Sequence, residues 1–253
     1  SCTKFLIKRK YFWYAVRSRL ITSSFTQVPR FGEKINEMPL FKKILFEGDS
    51  EFNGKVQVVD RFGVRRLIAS DFTQSRSLDK LGHSEVYWDS FVDMTSRLSD
   101  TASILILGLG AGTSAQMLRE RFPKAIIVGV EIDPMIIDLG KKYFELDKLE
   151  VQISIESAKD FVEQTQNKYD LIYLDVFAGS VAPDFSSDTG FFNQLQNILK
   201  KNGELIVNSI YRKKADADNY EAFFKQHFDL KDKILSSKSY KLGNLIMKGV
   251  NYS

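Results

Sequence analysis

The sequence predicts an α/β protein: a mostly parallel seven-stranded sheet with a terminal antiparallel hairpin, preceded by a small N-terminal β-sheet. Three observations predict it. From residue 102 onward, short apolar runs alternate with stretches of helical spacing, the pattern of a parallel sheet covered by helices on both faces. The run Ile104 to Leu107 ends abruptly in Gly108, Gly110 and Gly112, and a helical pattern starts at once. Between residues 41 and 75 the runs are shorter and punctuated by turn residues, which places a small antiparallel sheet ahead of the main one.

Each element has its own signal. Phe41 to Glu47, Lys55 to Asp60 and Val64 to Ala69 read as strands, parted by turns at Gly48-Asp-Ser, Asn53-Gly and Arg61-Phe-Gly. Ser84 to Leu98 has Val86, Phe91, Met94 and Leu98 on roughly one helical face. Strands are then expected at 103–108, 125–131, 150–155, 170–176 and 203–210. Helices are expected at 113–121, 134–145, 157–166, 188–201 and 215–227. Pro134 stands where a first helical turn begins and its missing N–H costs nothing, while Asn202-Gly203 supplies a helix stop. Lys233 to Ser237 and Asn244 to Lys248 read as the closing hairpin, with its turn near Gly243. The organisation is a basic aromatic segment over 1–40, a small sheet and linking helix over 41–98, and an α/β domain over 99–253.

Composition narrows the class. At 253 residues, 43% hydrophobic and 27% charged, the chain can bury one substantial core. No apolar run approaches the roughly 20 residues of a membrane span. One cysteine, Cys2, permits no intrachain disulfide and fits a reducing compartment, so a cytoplasmic location is expected. Two histidines and one cysteine give no zinc site of common type, and no metal is expected. The chain opens on Ser1, not methionine, so residues upstream are allowed for. Residues 1–45 hold ten Lys/Arg against Glu33 and Glu37, interleaved with Phe5, Tyr11, Phe12, Trp13, Tyr14 and Phe25. Such a segment can dock on anionic lipid or nucleic acid. Packing of its aromatics on the main domain or a second subunit explains it with fewer assumptions. No nucleic-acid partner is expected, and membrane-surface contact through residues 1–40 is the less favoured alternative.

Where the glycines end the first strand, backbone can approach a ligand with no Cβ in the way. The next strand, Ala125 to Val130, delivers Glu131 to the same sheet edge, where a carboxylate can accept hydrogen bonds from both hydroxyls of a ribose. The pair signals a nucleoside site. Gly110-x-Gly112-x-x-Ala115 satisfies a loose dinucleotide fingerprint, with Glu131 about 20 residues on. Read from Gly108, the pattern is Gly-x-Gly-x-Gly, the spelling of S-adenosylmethionine (SAM) enzymes. Close helix–strand packing alone also accounts for the glycines.

Longer motifs separate these readings. They are Gln74-Ser75, Tyr87-Trp88-Asp89, Leu105 to Gly112, Val130-Glu-Ile-Asp-Pro134, Tyr169-Asp-Leu-Ile-Tyr-Leu-Asp175, and Leu199-Lys-Lys-Asn-Gly-Glu-Leu-Ile-Val-Asn208. In this order, over roughly residues 41–250, they resemble the spermidine synthase-like (polyamine synthase) branch of the class I SAM-dependent methyltransferase fold. The resemblance implies SAM or decarboxylated SAM as cofactor, a small-molecule acceptor and a homodimer through the front sheet. It also implies a catalytic aspartate at Asp175 and a ribose ligand at Glu131. Ile132 would pack on the adenine and Ser157 and Ala158 border it, with Gly108, Gly110 and Gly112 forming the cofactor-facing turn.

This chain departs from that pattern in four places. The glycine loop has Ala111 and Thr113 where the family carries an acid, and Asp175 is followed by Val176, Phe177 and Ala178 without a second aspartate. The family's Gly-Asp-Ala is Glu156-Ser157-Ala158, and its Tyr-His-Glu is Tyr87-Trp88-Asp89. A diamine needs carboxylates at both ends, so these losses favour another acceptor. Asp175 is expected to orient and deprotonate an amine, Tyr87 to assist it, and Gln74 and Asp89 to close the acceptor pocket. Asp133 is read as a cap for the helix at Pro134, His83 as a loop residue, and the loop carrying Asp184 and Asp188 as a lid. The expected function is alkyl transfer, of a methyl or an aminopropyl group, to a small nucleophile. The alternative is a nucleoside-binding or assembly protein without turnover; a nicotinamide dehydrogenase ranks third.

Overall fold

The structure is a computed structural model that describes residues 42–79, 82–84, 87–96, 98–177, 181–237 and 242–252. The basic aromatic segment 1–40 lies outside the described residues. Residues 42–253 form one compact unit.

The chain begins with a meander of four antiparallel strands: β1 (Lys42–Ser50), β2 (Gly54–Arg61), β3 (Val64–Ala69) and β4 (Phe72–Arg76). Three strands were expected here. The fourth is hidden because its hairpin turns on Ser70 and Asp71, both with positive φ (48° and 67°), without the glycine or asparagine that usually announces such a turn. β1 runs on through Gly48, which pairs with Val56 as strand and not as turn.

A short helix α1 (Tyr87–Asp93) leads into the main sheet. It stops well before the expected Leu98. Tyr173 bonds the Thr95 hydroxyl, and Glu204 Oε2 accepts the Ser96 N–H at 3.1 Å, so the chain is drawn out of helical register onto the sheet.

The main sheet has β5 (Ser103–Leu107), β6 (Ile126–Glu131), β7 (Gln152–Ile155), β8 (Tyr169–Leu174), β9 (Leu199–Tyr211), β10 (Asp229–Ser237) and β11 (Gly243–Val250). Their spatial order is β10-β11-β9-β8-β5-β6-β7. β9 to β7 run parallel in that order, and β11 runs antiparallel to both of its neighbours, β9 and β10. The helices between them are α2 (Thr113–Arg121), α3 (Pro134–Phe144), α4 (Ala158–Gln164), α5 (Thr189–Ile198) and α6 (Lys214–His227). β9 starts four residues before the expected 203, because Leu199 already pairs with Tyr169 and the Asn202-Gly203 corner is a kink inside the strand. Gly243 opens β11; the turn itself lies outside the described residues.

Both faces of the sheet are buried, which is why its strands read as continuous apolar runs. Ile104, Ile106, Leu171, Tyr173 and Ile206 pack with Trp88, Phe91 and Leu118 on one side. Leu105, Leu107, Ile172, Leu174 and Val207 pack with Val162, Phe192 and Leu195 on the other. The small sheet has its own contact: Val56, Val58, Leu67 and Ala69 pack on Ala111 of the glycine loop and on Ile136, Leu139 and Phe144 of α3. That contact brings the β1–β2 turn and β4 to the carboxyl ends of the parallel strands. Among the described residues no helix is long and apolar enough to cross a membrane.

Candidate active site

The chain leaves β5 toward β6 and β7 on one side and returns to β8 on the other. The carboxyl ends of β5 and β8 therefore part around a crevice, where open α/β sheets bind ligands. A cavity of about 260 Å³ occupies that position.

Its floor is the glycine loop. Gly108 has φ +89°, and a Cβ there would sit 2.2 Å from the Asp175 carbonyl oxygen. Only glycine lets β5 and β8 end this close together. Gly110 has φ +57°, and a Cβ would meet Ser75 Oγ at 2.7 Å. That hydroxyl accepts the Ala111 N–H at 2.8 Å and donates to the Gln74 carbonyl at 2.7 Å, stitching β4 to the loop. Gly112 is set back: it is the N-cap of α2, and the space a Cβ would need is filled by Leu146.

Glu131 ends β6. Its Oε2 accepts the Gly110 N–H at 2.9 Å and its Oε1 accepts the Asp133 N–H at 3.2 Å. Burial raises its pKa above the usual carboxylate value, and the backbone N–H groups of Gly110, Asp133 and Ile132 pull the other way. Ile132 stays 41% exposed and, with Ser157, Ala158 and Glu156, lines the cavity beyond Glu131. The Ser157 hydroxyl accepts the Asp160 N–H at 3.0 Å as the N-cap of α4.

Asp175 follows β8 across the crevice from Glu131. Asn208 Nδ2, at the end of the β9 core run, donates to its Oδ1 at 2.8 Å, and the Tyr87 hydroxyl donates to its Oδ2 at 3.0 Å. Asn208 is itself held, its Oδ1 accepting Asn244 Nδ2 at 2.9 Å. Burial pushes the Asp175 carboxyl up to about 6, against the hydrogen bonds from Asn208, Tyr87 and Trp88, which lower it. The Tyr87 hydroxyl rises well above its ordinary value, first through burial and then through the negative charge of Asp175.

The cavity thus gathers Gln74, Tyr87, Gly108, Gly110, Glu131, Ile132, Ser157, Ala158 and Asp175 from the residues singled out in the sequence. Asp89 and Gly112 stand outside its lining. The Asp89 carboxylate accepts from the Ser84 N–H and Oγ at 2.8 and 2.7 Å, with His83 Nδ1 at 3.8 Å from its other oxygen. Asp188 is the N-cap of α5, accepting the Phe191 N–H at 2.9 Å. Asp133 caps α3 through the Met135 N–H at 2.9 Å, and its second oxygen accepts from Asn53 Nδ2 at 2.7 Å and from the Ser50 hydroxyl.

Sequence reasoning did not single out Asn208, Ser75 or the β1–β2 turn residues Phe52 and Asn53, which also line or brace the cavity. Asn208 and Ser75 each sat in a quoted motif, which was their only signal.

Residues 91–237 match the family model of the spermine/spermidine synthase domain. The chain belongs to that family. A probable polyamine aminopropyl transferase of Bifidobacterium longum is 29% identical over 168 residues, 65% of this chain and 37% of the relative. An eEF1A lysine and N-terminal methyltransferase homolog of Drosophila melanogaster is 30% identical over 120 residues, 43% of this chain and 18% of the relative. The chain spans less than half the length of these curated relatives. In three dimensions it is similar to a probable spermidine synthase from Corynebacterium glutamicum (TM-score 0.70, 20% identity, 81% of this chain and 79% of that one). The spermidine synthase from Thermotoga maritima follows the same fold (TM-score 0.60, 13% identity, 82% and 72%). The chain thus has relatives named for aminopropyl transfer and relatives named for methyl transfer.

Proposed function

We propose that this chain is a transferase that binds SAM or decarboxylated SAM and moves an alkyl group to a small amine, with Asp175 as the base. The observation that carries the proposal is the pairing of Asp175 and Glu131 across one crevice at the switch point of the sheet, with the glycine loop between them.

The residues fit such a cofactor. Glu131, fixed at the end of β6 by two backbone N–H groups, presents acceptor lone pairs suited to a ribose diol. Ile132 offers an apolar face for a purine, and Ser157 and Ala158 border that side. The lining includes Glu131, Glu156 and Asp175 and no Lys, Arg or His among the described residues, a charge balance that favours a cation such as a sulfonium. When bound, either cofactor supplies an electrophilic carbon on a positively charged sulfur.

The chain's own part is positioning and proton transfer. Asp175, with a pKa of about 6, is mostly ionised at neutral pH yet more basic than an ordinary carboxylate. It accepts a proton from the acceptor's ammonium and frees the lone pair for attack. Held by Glu131, Ile132 and Ser157, the cofactor would supply the carbon to which the freed amine bonds, its sulfur leaving with the electron pair of the C–S bond. Tyr87 and Asn208 hold the carboxylate in one orientation through its two oxygens. Gln74 lines the cavity, whereas the Asp89 carboxylate is spent on Ser84 and takes no part.

Calorimetric titration with SAM and with decarboxylated SAM tests this, using the wild-type chain and Glu131→Ala. Binding of one of them, weakened tenfold or more by the substitution, is the expected result. Equal binding by the variant would remove Glu131 from the site, and binding of neither would defeat the proposal.

A further inference from the structure

We infer that Asn244 is a positioning residue for the base: from the terminal hairpin it fixes which end of the Asn208 amide faces Asp175. This rests on the reading of Asp175 above.

The ladder brings the two amides together. β11 pairs with β9 so that Ile246 lies opposite Asn208 and Asn244 opposite Ile210, which makes Asn244 the diagonal neighbour of Asn208 on one sheet face. Ile206 and Ile246 of that face pack with Tyr173 and with Trp88 of α1. Two bonds run in series along it. Asn244 Nδ2 donates to Asn208 Oδ1 at 2.9 Å, and Asn208 Nδ2 donates to Asp175 Oδ1 at 2.8 Å.

The direction of the series follows from its end. An ionised carboxylate only accepts, so Asn208 has to turn its amide nitrogen to Asp175 and its carbonyl away. Asn208 is 5% exposed, so that carbonyl needs a donor from the protein, and Asn244 supplies it. Turned round, the Asn208 amide would set carbonyl against carboxylate and nitrogen against nitrogen, with no bond at either end. A bond accepted at the carbonyl also polarises the N–H groups of the same amide and strengthens the one to Asp175. Asn244 acts on the base without touching it.

The titratable groups around Asp175 are Tyr87, whose hydroxyl donates to Oδ2 at 3.0 Å, and Glu131 and Glu156 across the cavity. On α1, Asp89 is engaged by Ser84 and Asp93 is exposed. On β9 and β11, Tyr211 lies opposite Gly243 on the other sheet face, and Lys248 is paired with Glu204 at 3.3 Å. Among the described residues the Asn244 side chain bonds Asn208 and none of these.

The test follows the Asp175 carboxyl by NMR in the full chain labelled with carboxyl-¹³C aspartate, as wild type, Asn244→Leu and Asn244→Asp. Leucine keeps the size and removes the donor; aspartate keeps the shape and sets an acceptor against the Asn208 carbonyl. The Asp175 signal is the one lost in Asp175→Asn. Its titration midpoint is expected to rise by about half a pH unit in Asn244→Leu and by about one unit or more in Asn244→Asp, with the acidic limb of kcat/KM moving alongside. An unmoved midpoint in either folded variant, with only Tm lowered, makes Asn244 a structural residue and overturns the inference while the base role stands. Full turnover by Asp175→Asn takes down the base role and the inference with it.

Discussion

Replacing Asp175 by Asn separates what its burial costs the fold from what it gives the chemistry. The folded-state pKa is raised, from the ordinary 3.8 to about 6, so the folded chain holds the proton more tightly than the unfolded chain. Ionised Asp175 therefore destabilises the fold above pH 6, by up to about 3 kcal/mol. The penalty grows in as pH rises from the ordinary value through 6, is roughly half developed at pH 5, and is absent below the unfolded pKa. Asparagine stays neutral throughout. It also keeps the geometry, since its carbonyl can accept from Asn208 and its amide can donate to a rotated Tyr87 hydroxyl. Residual hydration of the half-buried carboxylate and the loss of charge-assisted bonds reduce the gain, leaving about 1–3 kcal/mol at pH 7.5. That is about 2–10 °C in Tm for a unit of this size. Scanning calorimetry at pH 7.5 and pH 5 should show a stabilised variant whose advantage shrinks at the lower pH. The same variant should lose about 10²–10⁴-fold in kcat/KM with its amine acceptor. A lower Tm at pH 7.5 would mean that the carboxylate is a net structural asset, and the reasoning from burial would be refuted. Full turnover would refute the base role separately.

Other outcomes follow from the same contacts. The wild-type kcat/KM profile should have an acidic limb near pH 6, and Asn208→Ala, by removing a bond that lowers the Asp175 pKa, should move that limb upward by about one pH unit. A limb that stays in place would uncouple Asn208 from the base. Gly108→Ala must displace the Asp175 backbone and hold alanine at φ +89°; a loss of about 3 kcal/mol or more in urea unfolding is expected, with loss of nucleoside binding. Asp133→Ala removes the α3 cap and strands the buried Ser50 and Asn53 side chains, for about 2–4 kcal/mol by the same measurement. A cost below 1 kcal/mol would show that those groups find other partners.

Much of the fold was legible because the main sheet is buried on both faces: its strands had to be apolar throughout, and the helices between them had to carry a 3.6-residue period. Glu131 and Asp175 stood out for a related reason. Each is a carboxylate directly after an apolar strand, where an acid has no packing role to explain it. Asn208 has the same position at the end of its apolar run but is uncharged, and its meaning depends on Asp175, 33 residues away. Its role becomes visible only once β8 and β9 are known to be neighbours. Ser75 is similar, since its hydroxyl matters through the Ala111 N–H. Asp89 shows the opposite failure. Motif position suggested a pocket residue, but the register of α1 after Ser84 turns the carboxylate back onto its own loop, a local hydrogen-bond competition that spacing does not encode.

The small sheet gives this arrangement its rigidity. Asp133 is one residue beyond Ile132 and two beyond Glu131, and its carboxylate ties the β1–β2 turn to the start of α3 while Ser75 ties β4 to the glycine loop. Both ties pass within a residue or two of the cavity floor, and the apolar contact of Val56, Val58 and Leu67 with Ile136 and Leu139 lies behind them. Motion of the small sheet against α3 would therefore pull on Glu131 and Gly110 together, which are already joined by a 2.9 Å bond. Beyond Asp175, the described residues of the segment leading to α5 are anchored by Asp188 at the helix start and by the Tyr220 hydroxyl on the Ser186 carbonyl at 2.8 Å. The two ties on the Glu131 side therefore couple the small sheet to the cavity floor, while among the described residues the Asp175 side is held through α5 and α6.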